Sequence, residues 1–265
     1  MIPYVDIVAF RVGPLVLPTQ RTLAVIGIVV VYLLFRRQAR RWNLDPDEAG
    51  WLAVAMLVAG LAGAFLFRWI YVPDAVARDP WIWTKTTAGA ASFGGFAGGL
   101  LAAPLYFFAR RIPAAQAWKY LDALALVFPA GWLFGRLGCS LVHDHPGVRS
   151  SSWLAVAYPG FPRYDLAVLE VLFLGLVLIP AFWRLAQQPR PARFYLGAFL
   201  SIYGVFRVLL DRLHVDPPTY VGFTVDQWGY GAMTAAGLAM LVPALTRSPK
   251  LTEEGTKCIG DLPVH

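Results

Sequence analysis

The run Leu15-Val-Leu-Pro-Thr-Gln-Arg-Thr-Leu-Ala-Val-Ile-Gly-Ile-Val-Val-Val-Tyr-Leu-Leu-Phe35, closed by Arg36-Arg37-Gln38-Ala39-Arg40-Arg41, decides the class of this protein. About 20 residues at 1.5 Å of rise span the roughly 30 Å of hydrocarbon in a bilayer. Arginines clustered after such a run mark a cytoplasmic flank. Six further apolar segments follow, at about Gly50 to Val72, Thr86 to Ala109, Tyr120 to Leu137, Tyr164 to Leu185, Phe194 to Leu213 and Gln227 to Leu245. The pattern reads as an all-α integral membrane protein, a bundle of about seven transmembrane helices. Composition agrees, with 58% hydrophobic and 15% charged residues in 265, against about 25% charged in soluble domains.

Orientation follows from the connections. Those after spans one, three and five carry Arg36, Arg37, Arg40, Arg41, Arg110, Arg111, Lys119, Arg184, Arg190 and Arg193. The opposite ones carry Trp81, Trp83, Tyr158 and Phe161 instead, which places the N-terminus outside and the C-terminus inside. The net charge of +7 sits in these short loops, so it is an orientation signal and no nucleic acid partner is expected. Residues 1–247 form one transmembrane domain, and residues 248–265 read as a disordered polar cytoplasmic tail. The opening Met1-Ile-Pro-Tyr-Val-Asp-Ile7 lacks the basic flank of a cleaved signal peptide, so the first span is expected to persist. Cys139 and Cys258 fall on opposite sides and are not expected to pair.

Polar groups from five spans gather at one depth in the outer leaflet. Gln20 opens span one, Ser92-Phe-Gly-Gly-Phe-Ala-Gly-Gly99 fills the outer third of span three, and Arg136 closes span four. Glu170 lies about 9 Å into span five, and Arg207 and Asp211 approach the outer end of span six. Charge inside a membrane is costly and marks function by default. Two arginines at one level suit a bidentate grip on phosphate. Plainer readings are snorkelling arginines, an i,i+4 pair of Arg207 with Asp211, and Glu170 as a salt-bridge partner. Gly94 and Gly95 either let helices approach closely or leave room for an acyl chain and glycerol backbone.

The stretch Gly135-Arg-Leu-Gly-Cys-Ser-Leu-Val-His-Asp-His-Pro-Gly147 supplies the chemistry. His143 or His145, beside Asp144, offers a general base near neutral pH, and His214 lines the same mouth after span six. Cys139, His143, Asp144 and His145 are zinc-ligand types. Adjacent ligands in so short a loop are not expected to converge on one ion, so no metal and no cofactor are assigned. Asp122, near Lys119, reads as structural.

Taken in order, these residues resemble the prolipoprotein diacylglyceryl transferase family over nearly the whole chain. Phe10-Arg-Val-Gly-Pro-Leu15 matches the family opening, and Ser92-Phe-Gly-Gly95 its Ser-Phe-His-Gly-Gly element. Asp122 and Phe134-Gly-Arg-Leu-Gly138 resemble the signature that continues Asn-Phe-x-Asn-Gly-Glu-x-x-Gly. Arg163 and Glu170 fit an Arg-His-Pro-x-Gln-Leu-Tyr-Glu element, and Tyr203-Gly-x-x-Arg207-x-x-x-Asp211 fits Tyr-Gly-x-x-Arg-x-x-x-Glu. Gln227 opens the last span as a Gln does there.

The resemblance implies transfer of a diacylglyceryl group from phosphatidylglycerol to the lipobox cysteine of a prolipoprotein signal peptide. It also implies a multi-pass protein of the bacterial inner membrane with its site toward the periplasmic leaflet. Arg136 and Arg207 would then hold the phosphate, Gly147 would close the signature loop, and Gln20, Glu170, Asp211 and His214 would complete the lipid-binding set. Five departures stand out: the span-three histidine is absent, Gln20 replaces a tyrosine, Cys139 replaces the signature asparagine, Asp144 replaces its glutamate, and His214 replaces an arginine. His143 or His145 is expected to take over as base.

Overall fold

The computed structural model describes residues 1–66, 78–79, 92–215 and 219–246. A short hairpin of β1 (Ala9–Val12) and β2 (Leu15–Pro18) leads into α1 (Thr19–Arg41) and α2 (Pro46–Leu66). Next come α3 (Ser92–Ala109) and α4 (Ala114–Val142), then a second hairpin of β3 (Pro146–Arg149) and β4 (Arg163–Asp165). The chain continues through α5 (Leu166–Leu185) and α6 (Phe194–Asp211). A third hairpin, β5 (Thr219–Tyr220) and β6 (Phe223–Thr224), then precedes α7 (Val225–Thr246). Among the described residues, six of these helices are long and apolar enough to cross a membrane, and α3 is a shorter apolar helix over Gly94–Ala109.

The surface is that of a protein solvated by lipid. Phe108 is 86% exposed, and Leu101, Leu105, Leu176 and Leu245 also face outward, a distribution that water would not tolerate over so large an area. Lipid tails are as apolar as leucine, so helices associate through close backbone approach. A Cβ on Gly27 of α1 would overlap the carbonyl oxygen of Gly131 on α4, and one on Gly63 of α2 that of Gly94 on α3. The carbonyl of Gly95 likewise faces Gly60. Gly94 and Gly95 thus take the packing role, with their backbones against α2. Gly197 and Gly204 of α6 meet α7 in the same manner.

At the end of the bundle where α1 meets α2, Arg36 pairs with Asp47, and Arg110 grips Glu48 at 2.8 and 2.9 Å. Asp122 is structural, as expected, though Lys119 is not its partner. Its carboxylate accepts from the backbone N–H groups of Arg193 (2.6 Å) and Leu196 (2.9 Å), closing the N-terminus of α6.

Two boundaries differ from expectation, and one helix carries an irregular turn. Span one begins at Thr19, because Leu15 to Pro18 pair with Ala9 to Val12 as strand. Span four runs on to Val142, so Arg136 does not close it but lies six residues, about 9 Å, inside its end. In α5 a wider π turn occupies Leu174–Leu178, just before Pro180, whose missing N–H and bulky ring disfavour an ordinary turn there. The last residues of span two, the first residues of span three and the tail from 248 to 265 lie outside the described residues.

Candidate active site

Arg136 and Arg207 point at one carboxylate. Arg136 Nε lies 3.0 Å from Glu170 Oε1, and Arg207 Nη1 donates to Oε2 at 2.8 Å. Tyr203 OH and Trp132 Nε1 donate to Oε1 at 2.5 and 2.9 Å. Glu170 is 0% exposed, Arg136 4% and Arg207 7%. The guanidinium of Arg136 also lies over the Trp132 ring, and that of Arg207 over Tyr230, both within 5 Å of the ring centre.

Local sequence explains the convergence. Asp165 caps α5, accepting from Ala167 N (3.0 Å) and Val168 N (3.1 Å), and so fixes where Glu170 points little more than one turn later. Trp132 precedes Arg136 by four residues, and Tyr203 precedes Arg207 by four, so each arginine shares a helix face with the donor that helps hold the carboxylate. Trp132 and Tyr230 were missing from the sequence-derived set, and Tyr203 entered it only as the first residue of the element that contains Arg207, with no role of its own. The i,i+4 spacing was the available signal for Trp132 and Tyr203.

The plainer alternative, an i,i+4 pair of Arg207 with Asp211, is not what forms: the ion-pair partner of Arg207 is Glu170. Asp211 instead accepts from Thr224 OH at 2.5 Å and sits 3.0 Å from His214 Nδ1. Glu170 is the salt-bridge partner expected of it, for both arginines at once. Arg163 stacks over Phe161 and Tyr158, away from this carboxylate.

A second group forms where α4 ends. Gln20 Nε2 donates to Asp144 Oδ2 at 2.7 Å and to Cys139 Sγ at 3.4 Å, while Asp144 Oδ1 contacts His145 Nδ1. One sulfur, one oxygen and one nitrogen ligand atom from Cys139, Asp144 and His145 lie within 4.8 Å of one another. Three of the four candidate ligands therefore gather, while His143, the fourth, does not. The cause is backbone: α4 carries Cys139 on its last turn, and His143 then adopts the left-handed conformation (φ 50) that folds the chain back. The family signature has glycine at that position, for which positive φ carries no steric cost. Among the described residues no other such ligand cluster appears.

His143 does not face this group. Its Nδ1 lies 2.7 Å from Asp165 Oδ2, its ring stacks on Tyr4 at 4.2 Å, and its side chain is 5% exposed. Tyr158 donates to the same Asp165 oxygen at 2.7 Å, and burial followed by that carboxylate pushes the phenol well above its usual range, so it stays a donor. The expectation that His143 is open to act as base is thus corrected, whereas His145 is half-exposed. At Gly147 a Cβ would sit 2.7 Å from Leu213 O and 3.1 Å from Leu166. That contact, with Val148 N donating to Leu213 O at 2.9 Å, seats the signature loop on the end of α6 beside His214.

A multi-pass helical membrane protein with a buried diarginine–carboxylate centre and a thiol–carboxylate–imidazole group beside it is the class that fold and site define. The model of the prolipoprotein diacylglyceryl transferase family matches residues 7–243, and the chain belongs to that family. It is similar to a phosphatidylglycerol–prolipoprotein diacylglyceryl transferase of Chromohalobacter salexigens, 32% identical over 85% of each chain. Proteins of the same name from Pseudomonas putida (29% identical, 94% of this chain and 98% of the relative) and Pseudomonas aeruginosa (28%, 92% and 96%) are also similar to it.

Proposed function

We propose that this protein transfers a diacylglyceryl group from phosphatidylglycerol to the cysteine thiol of a prolipoprotein lipobox, releasing glycerol phosphate. The observation that carries the reading is the convergence of Arg136 and Arg207 on Glu170 inside the bundle. One carboxylate against two guanidiniums leaves a net positive charge. The two arginines bring about ten N–H donors, and Glu170, which also accepts from Tyr203 and Trp132, engages only a few of them. The remaining donors suit a phosphodiester, and they stabilise the charge that grows on the leaving phosphate oxygen.

Several features support the supply of substrates to this centre. An apolar groove of about 260 Å³ between α6 and α7, lined by Val205, Val208, Leu209, Gly231 and Thr234, offers a lateral place for an acyl chain near Arg207. Gln20, Asp144 and His145 stand on the acceptor side, one helical turn beyond Arg136 through Cys139. Asp211, His214 and Gly147 hold the loop over the end of α6, and Gly94 and Gly95 shape the wall through their packing. In this reading the protein sits in the bacterial inner membrane, the N-terminus is outside, and the site opens toward the periplasmic leaflet. Residues 1–247 form the catalytic domain, followed by a cytoplasmic tail.

The test uses purified protein, phosphatidylglycerol labelled in its acyl chains, and a lipobox peptide. Label on the peptide cysteine, absent with a serine peptide and with Arg207→Lys, is the expected outcome. Glycerol phosphate release without peptide label would move the acceptor to another molecule, and a folded protein that does neither would refute the transfer.

A further inference from the structure

We propose that Cys139, Asp144 and His145 form a zinc site whose open fourth position binds the acceptor thiol as thiolate. The inference rests on the transfer reading above and addresses a gap in it. The span-three element runs from Ser92-Phe93 directly into Gly94 with no histidine, and His143 is locked against Asp165 and Tyr4. That leaves His145 as the imidazole still open at the site, and it stands in one group with Cys139 and Asp144.

The donor set fits zinc by chemistry and by spacing. Zinc takes sulfur, imidazole nitrogen and carboxylate oxygen at about 2.0–2.3 Å, so ligands of one tetrahedral ion stand roughly 3.5 Å apart. The three ligand atoms lie within 4.8 Å of one another, and side-chain rotation of about an ångström closes that difference. Asp144 and His145 are on a loop with part of each side chain exposed, and Cys139 is buried beneath them. Gln20, which donates to both the sulfur and the carboxylate, is placed as the outer partner that orients two ligands of a metal. Three protein ligands and one vacancy are the pattern of a catalytic zinc, not a structural one.

A thiol that coordinates zinc is deprotonated outright. The acceptor cysteine would lose its proton to solvent on binding. Its sulfur electron pair would then form the C–S bond to the glyceryl carbon. The C–O bond to phosphate breaks with its electron pair on oxygen, and the departing glycerol phosphate takes up one proton from water. Arg136 stands one turn before Cys139 on α4, where i,i+3 side chains begin about 5–6 Å apart, so phosphate and thiolate would be neighbours.

The experiment uses the untagged full chain with Cys258→Ser, stripped of metal in detergent and titrated with Co²⁺. One Co²⁺ per chain with a thiolate-to-cobalt charge-transfer band, displaced by Zn²⁺, is expected. Cys139→Ser should abolish the band, and so should Cys139→Asn, which restores the family residue and guards against a serine variant that fails to fold. Asp144→Asn and His145→Ala should each weaken binding by at least about the 10–100-fold typical of outer partners. No stoichiometric cobalt binding, or a band that survives in both Cys139 variants, overturns the site. Full transfer to the lipobox peptide by metal-stripped protein overturns its catalytic role while leaving the transfer reading intact. Cobalt bound at Cys139 with no peptide labelled in the presence or absence of zinc refutes transfer and thiol delivery together, but not the site.

Discussion

Replacing Glu170 by glutamine isolates what one carboxylate does between two arginines. The amide keeps the shape and can still accept from Tyr203 and Trp132, but it removes the negative charge facing Arg136 and Arg207. Breaking a buried ion pair by removing one partner costs about 3–5 kcal/mol, because the other charge stays buried and uncompensated. Glu170 is the ion-pair partner of both arginines, and all three side chains are buried, so the upper end applies. For a protein of this size each kcal/mol lowers the melting temperature by roughly 2–4 °C, which gives a fall of about 10–20 °C. An anion in the same place should offset much of that loss. Melting in detergent is therefore measured with and without inorganic phosphate or phosphatidylglycerol, and the variant should gain more from either than the parent does. A variant that melts within about 1 °C of the parent, with no added response to phosphate, would refute the reasoning: Glu170 would not be the counter-ion that holds the two arginines together.

Other perturbations test the frame around that centre. His143→Asn removes the contact with Asp165 and the stack on Tyr4; it should cost about 1–3 kcal/mol in a melting experiment, yet leave peptide labelling per folded molecule close to the parent. Gly131→Val forces a side chain into the backbone of Gly27 and into Val31. This overpacking should destabilise by about 3 kcal/mol or more, whereas Gly135→Ala on the same helix, with nothing within 4 Å, should be neutral or stabilising by thermal melting. Val221 is a β-branched residue held at φ 53 and 91% exposed; Val221→Asn should raise the melting point, because a left-handed backbone costs an ordinary residue roughly 1–2 kcal/mol and asparagine tolerates it.

The sequence by itself determined the class of molecule. Apolar runs of bilayer length leave a chain no alternative to helices, since every backbone N–H and C=O must be satisfied without water. Intramembrane charge is rare enough that Arg136, Glu170 and Arg207 could be singled out one by one, and the order of the motifs carried the family. Partnership was not legible in the same way. Helical period relates Arg207 to Asp211 within one helix but says nothing of Glu170 on another, so the choice between them fell to the packing of α4, α5 and α6. The end of α4 was equally hidden. Gly135 and Gly138 read as weak helix formers, yet helix continues to Val142 because Gly138 packs against the backbone of Gln20, where a Cβ would come within 2.9 Å. Only that continuation and the reversal at His143 set Cys139 under Asp144 and His145 and turn His143 away. Which imidazole meets the site depends on one backbone dihedral and on contacts more than a hundred residues apart in sequence, and no local pattern of residues encodes either.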